Sequence, residues 1–340
     1  MNTISIAEPG TLEHGASDAG FDHAGLRAAI AGERIDVDAL TAWVAAHDWS
    51  LLIGGELRHA IGDATYDDPS PVLGGIIARV PDAGQADVDE AVRLAEQASR
   101  AWAGTRVAER SRIVLEMARR LRAHAAEFAA LDTLDGGNIL RLTREDVTGG
   151  AETMEFFAAA GVALTGQVIP ASSGNLHYTL EQPYPVVARI IPYNHPIRFL
   201  SGKIAAPMMA GAPIIMKAPH QTPLSALFFA ELVHDLVPAG VLSIITGAGP
   251  ATGNALVQHP RIRRIAFTGS APTGLKIQQS AAQVGEACLA RARRQERTDR
   301  VRRRGPEGDR ARRRAWHELL VVWAVVRVHL TASHPPLDPG

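Results

Sequence analysis

The chain has 340 residues, of which 46% are hydrophobic and 21% are charged, and its formal net charge is -1. This is the composition of an ordinary globular protein with room for two domains, and the charge points to no particular class of partner. A single cysteine, Cys288, excludes a disulfide framework within the chain and fits a reducing compartment.

The two ends of the chain differ in composition. The N-terminal sequence MNTISIAEPG lacks the basic and then apolar pattern of a signal peptide, and the apolar run at residues 319–326 is far too short to span a bilayer. We therefore expect a cytoplasmic protein without a membrane partner. The last 55 residues carry 13 arginines, no lysine and 7 acidic residues, whereas acids are in excess in the rest of the chain.

The chain begins with a leader rich in Gly, Asp and Ala at residues 1–45, in which short helices are predicted at 24–30 and 37–47 and to which we assign no function. Apolar residues around Gly-Gly at 49–57 predict two short strands, and 72–80 predicts another strand pair. Apolar positions at helical spacing then predict three amphipathic helices. These helices cover residues 87–102, 110–132 and 144–160.

From residue 186 onward, short apolar runs alternate with helix-length segments. The predicted strands are 186–191, 213–217, 241–245 and 264–268, and the predicted helices are 196–210, 223–236, 251–258 and 272–283. Nearly all-apolar strands separated by helices are typical of a parallel sheet covered on both faces, so the fold class is α/β with a doubly wound parallel sheet. Functional groups gather at the carboxyl ends of such strands, which makes Asn194 and Lys217 the first candidates.

Four motifs occur in this region in a fixed order. They are IIPYNHP, MKAPHQTPLSA, VPAGVLSIITGAG and FTGSAPTG. Because several ordered motifs at family spacing are far more specific than one pattern, residues 49–285 are identified as resembling the aldehyde dehydrogenase superfamily. The resemblance implies a Rossmann-like domain that binds NAD or NADP, a small-molecule aldehyde as substrate, oxidation to a carboxylic acid, and no metal.

Asn194 follows a strand in a turn fixed by prolines, so its amide N–H can face a developing oxyanion, which is the role that the resemblance implies. The alternative from the residues alone is an Asx-turn asparagine that stabilises its own backbone. Lys217 ends the next strand, where its ammonium can bond the ribose hydroxyls of a dinucleotide. A lysine at a strand end is otherwise commonly just solvated.

Glycines at the next two strand ends complete the predicted cofactor site. Gly269 permits close backbone approach, and Ser270 with the helix start can hold a pyrophosphate, although GSxxxG is also a common helix cap. Gly249 and Gly253 follow the preceding strand and could be plain turn glycines. By resemblance alone, the residues assigned to cofactor binding or packing also include Ile191, Pro192, Phe267, Thr268 and Gly274.

His220 stands where many relatives carry a glutamate that holds the adenosine ribose diol. A carboxylate at this place repels a 2′-phosphate, and a histidine does not. We therefore expect the site to tolerate NADP as well as NAD.

Two groups that the family's reaction needs are absent from their places. A cysteine thiolate attacks the aldehyde, and a glutamate activates the water that releases the acid. The resemblance puts the glutamate roughly 23 residues past Gly269 and the cysteine about 34 residues further on. Those places are occupied by Ala292 and Val326. Cys288 lies too early to be this nucleophile, and we treat it as incidental.

The genetic code offers a reason for both absences. Residues 289–296, LARARRQE, can be encoded so that a step of one base reads SLELGGKN, which is the family's glutamate motif. The same step turns residues 297–304 into the strand-like ALIVFADA and residues 323–330 into GQSCGSTS, the cysteine motif. We therefore predict a single-base frameshift between residues 283 and 289, after which the chain is out of frame.

These inferences divide the chain into the leader, an incomplete cofactor domain at 46–285 and an Arg-rich, disordered tail at 286–340. The chain as written is expected to bind NAD or NADP weakly, to oxidise no aldehyde, to form no family homo-oligomer and to expose a bare sheet edge. The alternative is a non-enzymatic module that binds a dinucleotide, or nucleic acid through the arginines of 291–314. No recognition motif or aromatic platform accompanies those arginines, so nucleic acid is the less favoured partner.

Overall fold

The computed structural model describes residues 23–31, 34–170, 175–283, 287–293 and 325–333. In chain order the helices are α1 (Ala24–Ala29), α2 (Val37–Ala46), α3 (Gln85–Gly104), α4 (Val107–Ala123), α5 (Ala125–Gly136), α6 (Leu140–Ala160), α7 (Pro196–Ala210), α8 (Leu224–Val233), α9 (Ala251–Val257) and α10 (Ala271–Gln283). The strands are β1 (Ile30–Ala31), β2 (Arg34–Ile35), β3 (Leu51–Ile53), β4 (Glu56–Arg58), β5 (Thr65–Ser70), β6 (Gly75–Pro81), β7 (Val168–Ile169), β8 (Asn175–Pro183), β9 (Val187–Ile190), β10 (Ile214–Lys217), β11 (Leu242–Ile245), β12 (Arg264–Ser270), β13 (Ala287–Arg293) and β14 (Val325–Ser333).

The largest sheet has seven strands in the order β13-β12-β9-β10-β11-β3-β4. The strands from β13 to β11 are parallel, and β3 and β4 are antiparallel to their neighbours. Every residue of β10 and β11 is buried, as expected for central strands covered by helices. The predicted α/β class with a doubly wound parallel sheet is confirmed, with an antiparallel pair added at one side.

The order of the strands reverses next to β9. The chain moves outward from β9 through β10 to β11, and β12 then returns to the other side of β9. Ile190 pairs with both Lys217 and Phe267, and Lys217 also pairs with Ile245, so the carboxyl ends of these strands lie at one edge. Open α/β sheets bind their ligands in the crevice at such a reversal.

Two groups of helices pack around the sheet. Helix α7 packs with α4, α5 and α6, and α8 packs with α4 and α5, while α3 packs with α9 and contacts β10 and β11. The interior is apolar, and the rings of Phe128 in α5 and Phe228 in α8 meet edge to face, with 4.9 Å between their centroids. None of the helices in the described ranges is long and apolar enough to cross a bilayer.

Two of the predicted boundaries are wrong. Segment 110–132 forms two helices, α4 and α5, because His124 leaves the helical conformation (φ -110°, ψ 27°) and buries its ring. The strand pair predicted at 72–80 begins earlier, since β5 pairs with β6. The sequence of β5, TYDDPS, is polar and its buried positions are Asp68 and Ser70, so no apolar alternation marks this strand.

The described part of the leader packs on the core. Leu26 of α1 and Leu40 of α2 are buried, and the His23 ring meets the Phe228 ring edge-on at 4.9 Å. A few buried apolar side chains of this kind suffice to dock two short helices. Residues 1–22 lie outside the described ranges.

Two segments of the tail form strands in place of the disorder expected for residues 286–340. Strand β13 pairs in parallel with β12, and β14 pairs antiparallel with β8. The edge strand on this side of the sheet is therefore β13 and not β12. An edge strand offers a row of N–H and C=O groups that pair with an extended backbone whatever its side chains. The rest of the tail lies outside the described ranges.

Candidate functional site

The turn that carries Asn194 connects β9 to α7. Pro196 begins α7, where its missing N–H costs nothing. The backbone oxygen of Asn194 accepts a hydrogen bond from Nδ2 of Asn138 at 3.2 Å, and that of Tyr193 accepts one from Oγ1 of Thr222 at 3.3 Å. The turn is thus held by its backbone, and neither bond uses the half-buried side-chain amide of Asn194.

A histidine that the sequence analysis did not single out follows Asn194. Nδ1 of His195 lies 2.5 Å from Oδ2 of Asp146, a buried residue of α6, and Nη1 of Arg198 lies 3.3 Å from Oδ1 of the same carboxylate. The carboxylate therefore fixes two side chains in the first turn of α7. The histidine stands within the IIPYNHP motif, but its partner lies on a distant helix, so no local pattern could reveal this pair.

Lys217, the last residue of β10, is buried, which excludes the solvated alternative. Its Nζ donates hydrogen bonds to the backbone oxygens of Ala218 at 3.0 Å and Gly247 at 3.2 Å. Burial lowers the pKa of Lys217 to about 8, against the opposing effect of the Asp82 carboxylate. An ammonium has three N–H donors, and these two carbonyls take two of them.

His220 lies on the exposed loop that follows β10. Partial burial and the positive charge of Lys217 lower the pKa of the imidazole below its ordinary 6.5. The ring is therefore mainly neutral at pH 7, with one nitrogen to donate and one to accept a hydrogen bond. A neutral ring adds no charge that would select for or against a 2′-phosphate.

The backbone after β11 is open at two glycines. A Cβ atom placed on Gly249 or on Gly253 would meet no atom within 4 Å. Gly249 also has a φ of 61°, which glycine adopts without strain. Gly247 is different, because a Cβ there would overlap Oγ1 of Thr252. Gly249 and Gly253, in the first turn of α9, thus leave open space beside the backbone, which is called the cradle below.

The end of β12 shows what its glycine and serine do in the fold. The Phe267 ring occupies the space that a side chain on Gly269 would need. Oγ of Ser270 accepts a hydrogen bond from the backbone N–H of Thr273 at 3.3 Å and lies 2.8 Å from its Oγ1. Ser270 thus caps the N-terminus of α10.

The remaining predicted residues support the same edge. Ile191, Thr268 and Gly274 are buried, and Pro192 is half-buried. The backbone N–H of Ile191 donates to the oxygen of Lys217 at 3.4 Å, which continues the pairing beyond β9. The residues predicted from strand ends and helix starts therefore lie along the carboxyl edge of the sheet.

The places of the two missing groups are separated in the fold. Ala292, at the place expected for the glutamate, pairs with Gly269 between β13 and β12. Val326, at the place expected for the cysteine, pairs with Gln182 in the separate sheet formed by β14, β8 and β7. Cys288 is half-buried near the start of β13. No cluster of three side chains suited to a metal occurs in the described part of the chain.

Comparison with known proteins gives one consistent result. The profile of the aldehyde dehydrogenase family matches residues 59–291. A putative aldehyde dehydrogenase, DhaS, of Bacillus subtilis is 39% identical over 236 residues, which are 68% of this chain and 48% of the relative. The aldehyde dehydrogenase tropH of Talaromyces stipitatus is 36% identical over 238 residues, or 69% of this chain and 46% of the relative.

Solved structures give the same result for the fold. The NAD+ complex of an aldehyde dehydrogenase from Bacillus cereus has a TM-score of 0.71 at 33% identity, over 73% of this chain and 52% of that chain. PnpE in complex with nicotinamide adenine dinucleotide has a TM-score of 0.70 at 35% identity, over 72% and 51% of the two chains. The chain spans about half the length of the curated relatives it matches. The resemblance seen in the motifs is confirmed, and the chain belongs to the aldehyde dehydrogenase family.

Proposed function

We propose that this chain is the dinucleotide-binding half of an NAD- or NADP-dependent aldehyde dehydrogenase. The observation that carries the proposal is the open backbone at Gly249 and Gly253, at the edge where the strand order reverses and Lys217 is buried. Two of the similar structures, one from Bacillus cereus and that of PnpE, are complexes with NAD.

The residues present fit such a cofactor. The third N–H donor of Lys217 and the neutral ring of His220 are suited to ribose hydroxyls. The N-terminus of α10, which follows Ser270, offers backbone N–H groups to a pyrophosphate, and the open space at Gly249 and Gly253 leaves the backbone after β11 accessible to a ligand. When bound, the nicotinamide supplies the acceptor for a hydride.

Asn194 is the proposed donor to the oxyanion that forms when an aldehyde is attacked. Such a donor accelerates the reaction because it is oriented before charge develops. The bonds that Asn138 and Thr222 make to the backbone of the turn provide that orientation.

We further propose that the chain as written oxidises no aldehyde. Residue 326 is a valine and residue 292 is an alanine, so the chain has neither a thiol nor a carboxylate at the places that the family's chemistry requires. Binding groups cannot replace a nucleophile. A one-base frameshift accounts for both absences at once.

Calorimetric titration of the purified chain with NAD tests the cofactor proposal. In Gly253→Leu a side chain enters the open cradle, so we expect the melting temperature to be kept while NAD affinity falls at least about tenfold. Gly104→Leu is the matched control. A Cβ atom on Gly104, the last residue of α3, would also meet no atom within 4 Å. The proposal fails if the unmodified chain shows no saturable NAD binding, or if Gly253→Leu binds NAD as tightly as the unmodified chain.

A further inference from the structure

Helix α5 contacts the starts of two helices through two buried carboxylates. Oδ2 of Asp132 accepts a hydrogen bond from the backbone N–H of Ile197 at 3.4 Å, in the first turn of α7. Oδ2 of Asp135 accepts one from the backbone N–H of Leu224 at 3.0 Å, the first residue of α8. Both carboxylates are fully buried and stand one turn apart on α5.

The same face of α5 and the residues just beyond it touch the two loops that precede those helices. Nδ2 of Asn138 donates to the backbone oxygen of Asn194 at 3.2 Å. Gly136 faces Thr222, since a Cβ on Gly136 would come within 3.3 Å of the Thr222 methyl carbon. Thr222 in turn donates to the backbone oxygen of Tyr193. One helix end is therefore in contact with both loops, and the loops are in contact with each other.

We propose that Asp132 and Asp135 are positioning residues, which through α5 fix the distance between the Asn194 turn and the loop that follows Lys217 and carries His220. The proposal rests on the proposed function, in which the first loop faces the reacting aldehyde and the second holds the dinucleotide. The two carboxylates would then set how the cofactor and the oxyanion donor stand relative to each other.

The energetic cost of these two carboxylates supports a specific role. Burial raises the pKa of Asp132 to about 7, and burial together with the nearby Asp68 carboxylate raises the pKa of Asp135 well above its ordinary value. The titratable groups that face them from neighbouring elements are Asp68 on β5 and Asp146 on α6. A buried carboxylate destabilises a core unless its bonds compensate, and apolar side chains would fill this space at no such cost. Side chains that destabilise the fold locally are expected at functional sites, where function requires them.

Hydrogen exchange of the two loops and NAD titration, on the full chain, test the proposal together. Asp132→Ala removes the acceptor at the start of α7, so we expect exchange in residues 193–199 to rise about tenfold. Asp135→Ala removes the acceptor at the start of α8, so we expect exchange in residues 218–226 to rise by a similar factor and NAD affinity to fall about tenfold. Asp132→Asn and Asp135→Asn keep an oxygen acceptor and should stay within about twofold of the unmodified chain in both measurements.

Asp36→Ala is the matched control, because Asp36 caps the remote helix α2 through the N–H of Ala39 at 3.0 Å. It should lower the melting temperature without changing hydrogen exchange in either loop or NAD affinity.

If an Ala variant does not fold, Asn138→Ala removes only the bond to Asn194 and should raise exchange in the turn alone. The proposal is overturned if the Ala variants behave like Asp36→Ala, or if Asn138→Ala leaves the turn unchanged. A chain that binds no NAD refutes the proposed function, whereas the exchange measurements still decide the positioning role.

Discussion

Asp68 is a residue at which burial makes the free energy of unfolding depend on pH. Its side chain is fully buried in β5, and burial raises its pKa to about 7, which the nearby Asp135 side chain only partly offsets. A carboxyl whose pKa is higher in the folded chain than in the unfolded chain stabilises the fold when it is protonated. Its contribution is complete below about pH 4 and is lost as the pH rises to about 7.

Asp68→Asn should therefore stabilise the chain at high pH. The amide stays neutral and can donate a hydrogen bond to Asp135, so we expect a gain of about 1 to 2 kcal/mol at pH 8 and little or no gain at pH 4. Urea unfolding at both pH values measures the difference. Asp67→Asn is the control, because Asp67 is exposed and paired with Arg79, and it should show no such gain. An equal effect of Asp68→Asn at both pH values would contradict this assignment.

His220→Glu should change the preference between the two dinucleotides. A carboxylate near a 2′-phosphate adds like-charge repulsion, so we expect affinity for NADP to fall about tenfold relative to NAD. The neutral variant His220→Gln should stay within about twofold of the unmodified chain. Because the pKa of His220 is already lowered, NADP affinity should rise only when the pH falls below 6.5. Competition titrations at pH 5.5 and 7.5 check both statements, and an unchanged ratio in His220→Glu would refute the first.

At the scale of elements, the part of the chain with the simplest pattern was predicted best. The strands and helices from β9 to α10 lie where the sequence places them, to within a few residues, because buried parallel strands are continuous apolar runs. β5 was misplaced because its buried side chains are polar, and the break at His124 was missed because apolar spacing continues across it. The positions of Asn194 and Lys217 followed from sheet geometry, whereas Ile191, Pro192, Phe267, Thr268 and Gly274 were assigned by resemblance alone.

The α5 contacts could not be predicted in this way. Asp135 and Leu224 are joined by a hydrogen bond across 89 positions of the chain, and Asp146 and His195 across 49. Neither pair has a periodicity that a local pattern would show, since each arises only when helices from different regions pack together. Sequence reasoning therefore located the loops of the site but not the residues that hold them.

Strand β13 should stabilise the sheet although, on our proposal, its sequence is out of frame. A chain that ends at residue 286 exposes the backbone of β12, whereas a chain that ends at residue 293 keeps it paired. We expect the shorter chain to lose roughly 2 kcal/mol of unfolding free energy and to associate at high concentration. Urea unfolding and light scattering on the two chains measure the difference, and both lack β14, so only β13 is compared. Equal stability and equal monodispersity would show that β13 contributes nothing.

At the scale of the whole molecule, an aldehyde dehydrogenase family fold is joined to a tail with an alanine at position 292 and a valine at position 326. We expect the chain as printed to form no NADH from NAD with any of a set of aldehydes. A gene in which one base restores the frame after residue 283 should give turnover on the order of 1 per second. Absorbance at the NADH band measures both, and the restored gene with its new cysteine codon changed to alanine is the control. Turnover by the printed chain would refute the prediction.

The place of β3 in the sheet has a consequence for synthesis on the ribosome. Leu52 of β3 pairs with Ile244 of β11, which is translated much later. At about 5 to 20 residues per second, on the order of 10 to 40 seconds separate the two. Strands β9, β10 and β11 emerge in direct succession and can assemble as they appear, but the pair of β3 and β4 has no sheet to join until β11 is complete. During that interval its apolar residues are open to chaperones and to neighbouring nascent chains, so slowed translation before residue 242 would lengthen the period in which this protein is most prone to aggregate.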